Sequence, residues 1–297
     1  MKSPYIKIGI VLLVLASLVG VERLSYFLTD GFGYPNITSN LSHNPNWDVA
    51  TSDEDLQEFS RALNQTYTYL ESGSQSFVFL SADKKYVIKF FKHKRWRLNP
   101  LLKILPLPPT LSAKRDRWKE KKTETVNSTF GSCIASYREF KNDTGVVYVH
   151  LNKTPLDHHL ILKDRIGFKH KIALGDVAFV LQRKAIPTDK YLLLLKKEGK
   201  TAEAEKALAS LLAFTLKRAQ KGYSDKDPHL IRNFGFINDQ AIEIDIGGFH
   251  HDPKKDLKYF HSHEMKRIKR KLLPWLEENY PELLPFANEQ FSTLIHE

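Results

Sequence analysis

A chain of 297 residues with 42% hydrophobic and 27% charged side chains can bury a substantial core, which excludes a disordered or fibrous protein. Its single cysteine excludes an internal disulfide framework and a thiolate zinc site, and beside the small Gly131 and Ser132 it reads as a core residue, Cys133. The net charge of +11 is concentrated: between Lys92 and Glu124 eleven Lys/Arg meet three Asp/Glu, which argues for one basic feature and against a generally basic nucleic-acid packager.

Lys2 and Lys7 precede an apolar run from Ile8 to Val21, closed by Glu22 and Arg23. Residues 1–28 read as a single-pass signal anchor or a signal peptide, lengthened by Leu24 and Tyr26–Leu28 if Arg23 snorkels to the interface. With the lysines held inside, the remainder is exported. Six Asn-x-Ser/Thr sequons, at Asn36, Asn40, Asn64, Asn127, Asn142 and Asn152, fit a secretory route, whereas the lack of disulfides does not.

Residues 29–50, rich in Gly, Pro, Asn and Ser, read as a linker, and residues 51–297 as one domain. Thr51-Ser52-Asp53-Glu54 offers a capping box for a helix over 53–64. Three strands follow, at 67–70, 77–80 and 86–92, with turns at Ser72-Gly73-Ser74 and at residues 82–85. The basic stretch 92–124, broken by four prolines, reads as an insert whose Trp96, Trp118 and leucines suit an anionic membrane surface better than nucleic acid. A helix at 126–140 leads into strands at 146–151, 160–163 and 177–183. The clearest helix spans 201–221, with Ala204, Leu208, Leu211, Leu212, Thr215, Leu216 and Ala219 on one face and Gly222 as its C-cap. Residues 260–296 read as two amphipathic helices separated near Pro281. The histidines, His150 and the pairs 158–159 and 250–251 among them, form no metal-ligand array and read as surface residues.

Between that long helix and the tail lies D-P-H-L-I-R-N-F-G-F-I-N-D-Q-A-I-E-I-D-I-G, residues 227–247. Asn238-Asp239-Gln240 supplies a hairpin turn, which sets Asn233 and Asp245 at the two ends of the hairpin with Asp227 just before it. A carboxylate to face an acceptor hydroxyl, with an Asn and an Asp to hold Mg²⁺, are the parts of phosphoryl transfer from ATP. The segment resembles the catalytic loop and D-F-G element of the protein-kinase-like superfamily. Leu70–Val78 resembles its Gly-rich loop, and Val87-Ile88-Lys89 its V-A-I-K strand.

The resemblance covers residues 67–249. It implies an α+β, bilobal protein-kinase-like fold with an antiparallel five-stranded N-lobe and a reduced helical C-lobe. It also implies ATP and Mg²⁺ as cofactors. Asp227 would be the catalytic carboxylate, Asn233 and Asp245 the metal ligands, and Gly73, Ser74 and Lys89 the phosphate contacts, with Glu139 bracing Lys89. The departures are specific. Glu71 and Ser76 replace two loop glycines, Asp225 and Lys226 replace the H-R pair, and Asp227 stands six rather than five residues before Asn233. No A-P-E motif follows Asp245. The expected function is therefore a membrane-tethered phosphotransferase with a small or lipid-linked acceptor; the alternatives are a pseudokinase serving as a binding module and a basic membrane-surface protein of another kind.

Overall fold

A computed structural model describes residues 4–99, 106, 108–252 and 257–296. The architecture is α+β. Helix α1 (Pro4–Leu28) is apolar on all sides and none of Ile8–Leu28 is buried. At about 1.5 Å per residue these 21 residues reach ~31 Å, the thickness of a bilayer's hydrocarbon core. Among the described residues it is the one helix long and apolar enough to cross a membrane.

Residues 29–50 are folded, contrary to the linker expectation. Phe32 and Ile37 are buried, Phe32 meets the rings of Phe77 and Phe79 edge-on at 5.4 and 4.9 Å, and Thr38 bridges to Val177. Farther along, Trp47 stands 4.9 Å from Phe130. The Gly/Pro/Asn composition supplies turns, not slack: Gly31 adopts φ 74°, and Asn36 donates to its carbonyl at 2.7 Å. Sparse aromatic residues give each turn something to bury.

The chain divides into two compact units, the first made of Met1–Asn44, Ser60–Arg97 and His150–Phe179, the second of Pro45–Phe59, Leu98–Val149 and Val180–Glu297. Helix α2 (Asp53–Leu63) starts where expected, with Ser52 Oγ accepting the Asp55 N–H at 3.3 Å. In the first unit β1 (Tyr67–Ser72), β2 (Ser76–Ser81) and β3 (Tyr86–Phe91) form an antiparallel meander. With β4 (Val146–His150), β5 (His159–Lys163), β6 (Lys169–Ala173) and β7 (Phe179–Arg183), the strand order is β4-β7-β3-β2-β1-β5-β6. Seven strands replace the expected five, and the sheet is mixed because β5 runs parallel to β1. Strand β6 escaped the sequence reading because Lys169, His170 and Lys171 look like loop residues; they suit an edge strand.

In the second unit, α3 (Pro109–Arg138) runs for 30 residues, so the second half of the expected insert is helix. Pro109 sits in the first turn, where a missing N–H costs nothing. Leu101, Leu102, Ile104 and Leu105 lie outside the described residues. The buried half of α3 begins at Val126; before it Leu111 and Trp118 are exposed. Helices α4 (Thr188–Lys197), α5 (Thr201–Gln220), α6 (Met265–Asn279) and α7 (Leu284–His296) enclose the core around Leu208, Leu211, Phe234, Ile268 and Phe291. The α5 face read from the sequence is the buried one, and Gly222 ends the helix at φ 75°. Two small sheets complete the unit. One has the order β11-β10-β8, from β8 (Ile186–Pro187), β10 (Phe234–Ile237) and β11 (Gln240–Glu243). The other pairs β9 (Tyr223–Asp225) with β12 (Phe249–His251).

Candidate active site

The second unit folds residues 223–251 back on themselves twice. Asn238 and Asp239 both take positive φ, 47° and 63°, so β10 and β11 are joined by a two-residue turn with the twist such hairpins need. The outer ends of this hairpin are then brought together by β9 and β12, with Asp225 opposite Phe249. Residues 226–233 and 244–248 therefore emerge side by side.

Asn233 joins them. Its carbonyl accepts the N–H of Ile244 at 2.7 Å and of Asp245 at 3.1 Å, while its Nδ2 donates to the Asp227 carbonyl at 2.7 Å. The extra residue between Asp227 and Asn233 is taken up in the single helical turn Leu230–Asn233, where Asn233 N–H donates to His229 O at 2.9 Å. Asp227, Asn233 and Asp245 are thus drawn to one edge. Both carboxylates are exposed and Asn233 is half-buried.

Two contacts fix this edge to its surroundings. Ser132 on α3 donates to Ile246 O and accepts the Phe249 N–H at 2.7 Å, holding the D-I-G-G stretch from both sides. Lys271 on α6 pairs with Asp227, and this ammonium, more than any other group, holds the carboxyl below its ordinary range. Lys226 reaches Ser128 Oγ.

Gly248, the second glycine of D-I-G-G, has a steric reason. A Cβ there would lie 2.2 Å from Asp225 Oδ1, an oxygen already held by the Asp227 N–H at 2.9 Å. Gly248→Ala should therefore cost about 1–3 kcal/mol of stability, the range for overpacking, measured by urea denaturation.

Beneath the edge lies a charge cluster that the sequence reading missed. Arg218 of α5 is fully buried; its Nη1 lies 2.7 Å from Glu243 Oε2 and 3.6 Å from Asp225 Oδ2, and its Nη2 bonds Glu264. Three carboxylates face one guanidinium. Burial works against the Arg218 charge, but Glu243, Glu264 and Asp225 outweigh it and raise its pKa. Burial also pushes the Glu243 carboxyl well up and raises Glu264, against the pull of Arg218. The short contact to Arg218 does not require an ionised Glu243, because a neutral carboxyl still accepts through Oε2. Glu243 Oε1 and Asp225 Oδ2 each lack a donor, and one proton on Oε1 directed at Asp225 satisfies both. The available signal was an arginine on the apolar face of α5, between Phe214 and Ala219.

Of the other expected site residues, Gly73, Ser74 and Lys89 belong to the first unit and Glu139 to the second. Gly73 and Ser74 form the β1–β2 turn of the first unit, where Gly73 N–H donates to Ser76 O at 2.9 Å. Two cations crown that turn: Lys92 Nζ donates to Ser72 Oγ and Gly73 O, both at 2.6 Å, and Arg95 reaches Ser74 O. Lys89 is half-buried in β3, opposite Val78. Glu139, expected to brace Lys89, is the C-cap of α3, and its carboxylate pairs with Lys221 at 3.1 Å. The helix closes at Arg138, so Glu139 caps it and turns its carboxylate to Lys221. His150 is a further correction, buried against the Phe179 ring rather than on the surface, with its pKa lowered by that burial.

Oxygen donors from Asn and Asp suit Mg²⁺, which takes one or two carboxylates and completes its shell with water and phosphate. Among the described residues no three His, Cys, Asp or Glu side chains gather to hold a metal unaided.

No protein-family model matches the chain, and no curated protein matches it in sequence. Its similarity to solved structures is weak. The bifunctional kinase-methyltransferase WbdD is 16% identical with a TM-score of 0.33, over 64% of this chain and 33% of WbdD, so the chain spans about a third of that enzyme's length. The complex of Rv3197 with erythromycin from Mycobacterium tuberculosis is 15% identical with a TM-score of 0.31, over 93% of this chain and 74% of its own. The streptomycin–ATP complex of APH(2")-IIa is 13% identical with a TM-score of 0.27, over 84% of this chain and 99% of its own.

Proposed function

We propose that the chain is a membrane-tethered, ATP- and Mg²⁺-dependent phosphotransferase of the protein-kinase-like kind. The observation that carries the reading is Asn233, whose main chain and side chain together draw Asp227 and Asp245 to one edge. Phosphoryl transfer is mostly positioning and charge stabilisation, so a fixed constellation of this type is what the chemistry asks of a protein. In this reading Asp227 accepts the proton of, or orients, an acceptor hydroxyl. Asn233 and the Asp245 carboxylate would hold the metal, which would supply positive charge to neutralise the phosphates. Gly73, Ser74 and Lys89 are assigned to the nucleotide phosphates by the resemblance. Helix α1 is the tether, with the rest of the chain exported. The acceptor in this reading is small or lipid-linked.

A second reading, a nucleotide-binding pseudokinase, draws on Lys92 and Arg95, which occupy the carbonyls of the Gly73 turn, and on Lys271, which makes Asp227 a weaker base.

The test is Mg²⁺-dependent ATP binding by the detergent-solubilised full chain, followed by melting. Nucleotide at a hundred times its Kd stabilises by ~2.7 kcal/mol, roughly 5–10 °C for a chain of this size. Asp245→Asn and Lys89→Ala should each abolish the shift. A shift without ATP turnover selects the pseudokinase, and no shift at millimolar nucleotide removes the ATP site.

A further inference from the structure

Strands β5 and β6 are joined by a tip that presents apolar side chains on a rigid, positively charged frame. Buried Asp164 builds it: Oδ1 accepts the N–H groups of Ile166 and Phe168 at 3.1 and 2.9 Å, and Oδ2 lies 2.8 Å from His170 Nε2. Asp164 N–H donates to Phe168 O at 2.9 Å, and Gly167 takes φ 91° to close the turn. So constrained, Ile166 is 44% exposed and Phe168 66%, the highest value for a large hydrophobic residue outside α1 among the described residues. Arg165, Lys169 and Lys171 around them are exposed. The turn's own carboxylate faces inward, so the outward field is cationic.

The tip stands beside the end of α1. Phe32, four residues past that helix, packs its ring 5.3 Å from His170, next to Lys169. Asp30, two residues past it, accepts from Tyr69 Oη, and Tyr69 in turn feels the charge of Arg165. On α1 itself Tyr26 carries Lys94 Nζ over its ring at 6.0 Å. Cations and exposed apolar residues therefore gather where an apolar helix of membrane length leaves the domain. That arrangement complements one partner: the anionic headgroups and outer acyl region of the bilayer that α1 enters.

We propose that the β5–β6 tip docks on the membrane, with Phe168 and Ile166 inserted at the headgroup level and Arg165 and Lys169 on anionic lipid. The inference rests on the reading of α1 as a membrane span. It moves the lipid-contacting element away from the basic stretch 92–124, to which the sequence assigned it.

The test uses the full chain in nanodiscs carrying nitroxide lipids, in a Cys133→Ser background, with an environment-sensitive fluorophore attached after Phe168→Cys or, in a separate sample, Leu15→Cys. Both labels should be quenched. Quenching at position 168 should be stronger with about one-third anionic lipid than with neutral lipid, and Arg165→Glu with Lys169→Glu should remove the difference. Each lost cation should weaken the anionic engagement about fivefold, the factor corresponding to the attraction per basic residue at such a surface. Quenching at position 15 without quenching at 168 would overturn the proposal, leave the anchor standing and assign the exposed pair to a protein partner. Quenching at neither position would overturn both.

Discussion

Arg218→Ala should lose a large share of the chain's stability. The guanidinium is fully buried, and removing it leaves Glu243, Glu264 and Asp225 facing one another with no counter-charge. Breaking a buried ion pair from one side costs about 3–5 kcal/mol, against a total of roughly 5–15 kcal/mol for a typical protein. The melting temperature should fall by about 10 °C or more, and urea denaturation should show the same loss at 25 °C. Arg218→Lys should recover little, because one ammonium cannot reproduce a planar fork shared between Glu243 and Glu264.

The same cluster sets a pH dependence. The Glu243 carboxyl is raised in the folded state, so the fold binds a proton that the unfolded chain releases above its ordinary value of 4.5. Its contribution is complete below that value and is lost as pH rises from there through the folded pKa. Glu243→Gln, which mimics the protonated form, should match the parent in acid and become relatively more stable as pH rises. A parent whose stability climbs from pH 5 to 8 while the Gln variant's does not would reverse the assignment of the proton.

The second large effect concerns Asp227, and it should appear in rate and not in stability. Asp227→Ala should lower phosphoryl transfer, including ATP hydrolysis, by about 10²–10⁴-fold, the usual contribution of a positioned acid–base group. Its carboxylate is 66% exposed, so the pair with Lys271 adds little to folding, and melting should barely move. Lys271→Ala separates positioning from structure. Lys271 is the main reason the Asp227 carboxyl sits below its usual 3.8, so its removal should shift the acid limb of the pH–rate profile upward. An unmoved limb would detach Lys271 from the reacting group.

Much of the second unit was legible in the sequence because its signals are local. The α5 face follows from 3.6-residue periodicity, Gly222 from the need for a left-handed cap, and the hairpin from Asn238-Asp239 between short β runs. That hairpin sets Asn233 and Asp245 at its two ends, since the turn fixes the register of its own strands. What stayed hidden depends on residues far apart. Strand β6 looks polar until β5 is laid beside β1, and Phe32 and Ile37 look like linker residues until Phe77 and Phe79 are set against them. The start of α3 was obscured by prolines that end one segment and open the next, and the helix closes at Arg138, which leaves Glu139 as its cap, paired with Lys221. Arg218 was passed over because charge on a helix normally marks the wet face.

The interleaving of the two units bears on how the protein is made. The chain passes between them five times, and the first unit draws on residues as far on as Phe179. During synthesis β1 waits for β5, about ninety residues later, to cover its open edge. Pairing over such a separation is slow and leaves strand edges bare in the meantime. The nascent chain is therefore exposed to wrong pairing until β5 is complete at Lys163, and any contiguous fragment that contains the first unit whole also carries two segments of the second.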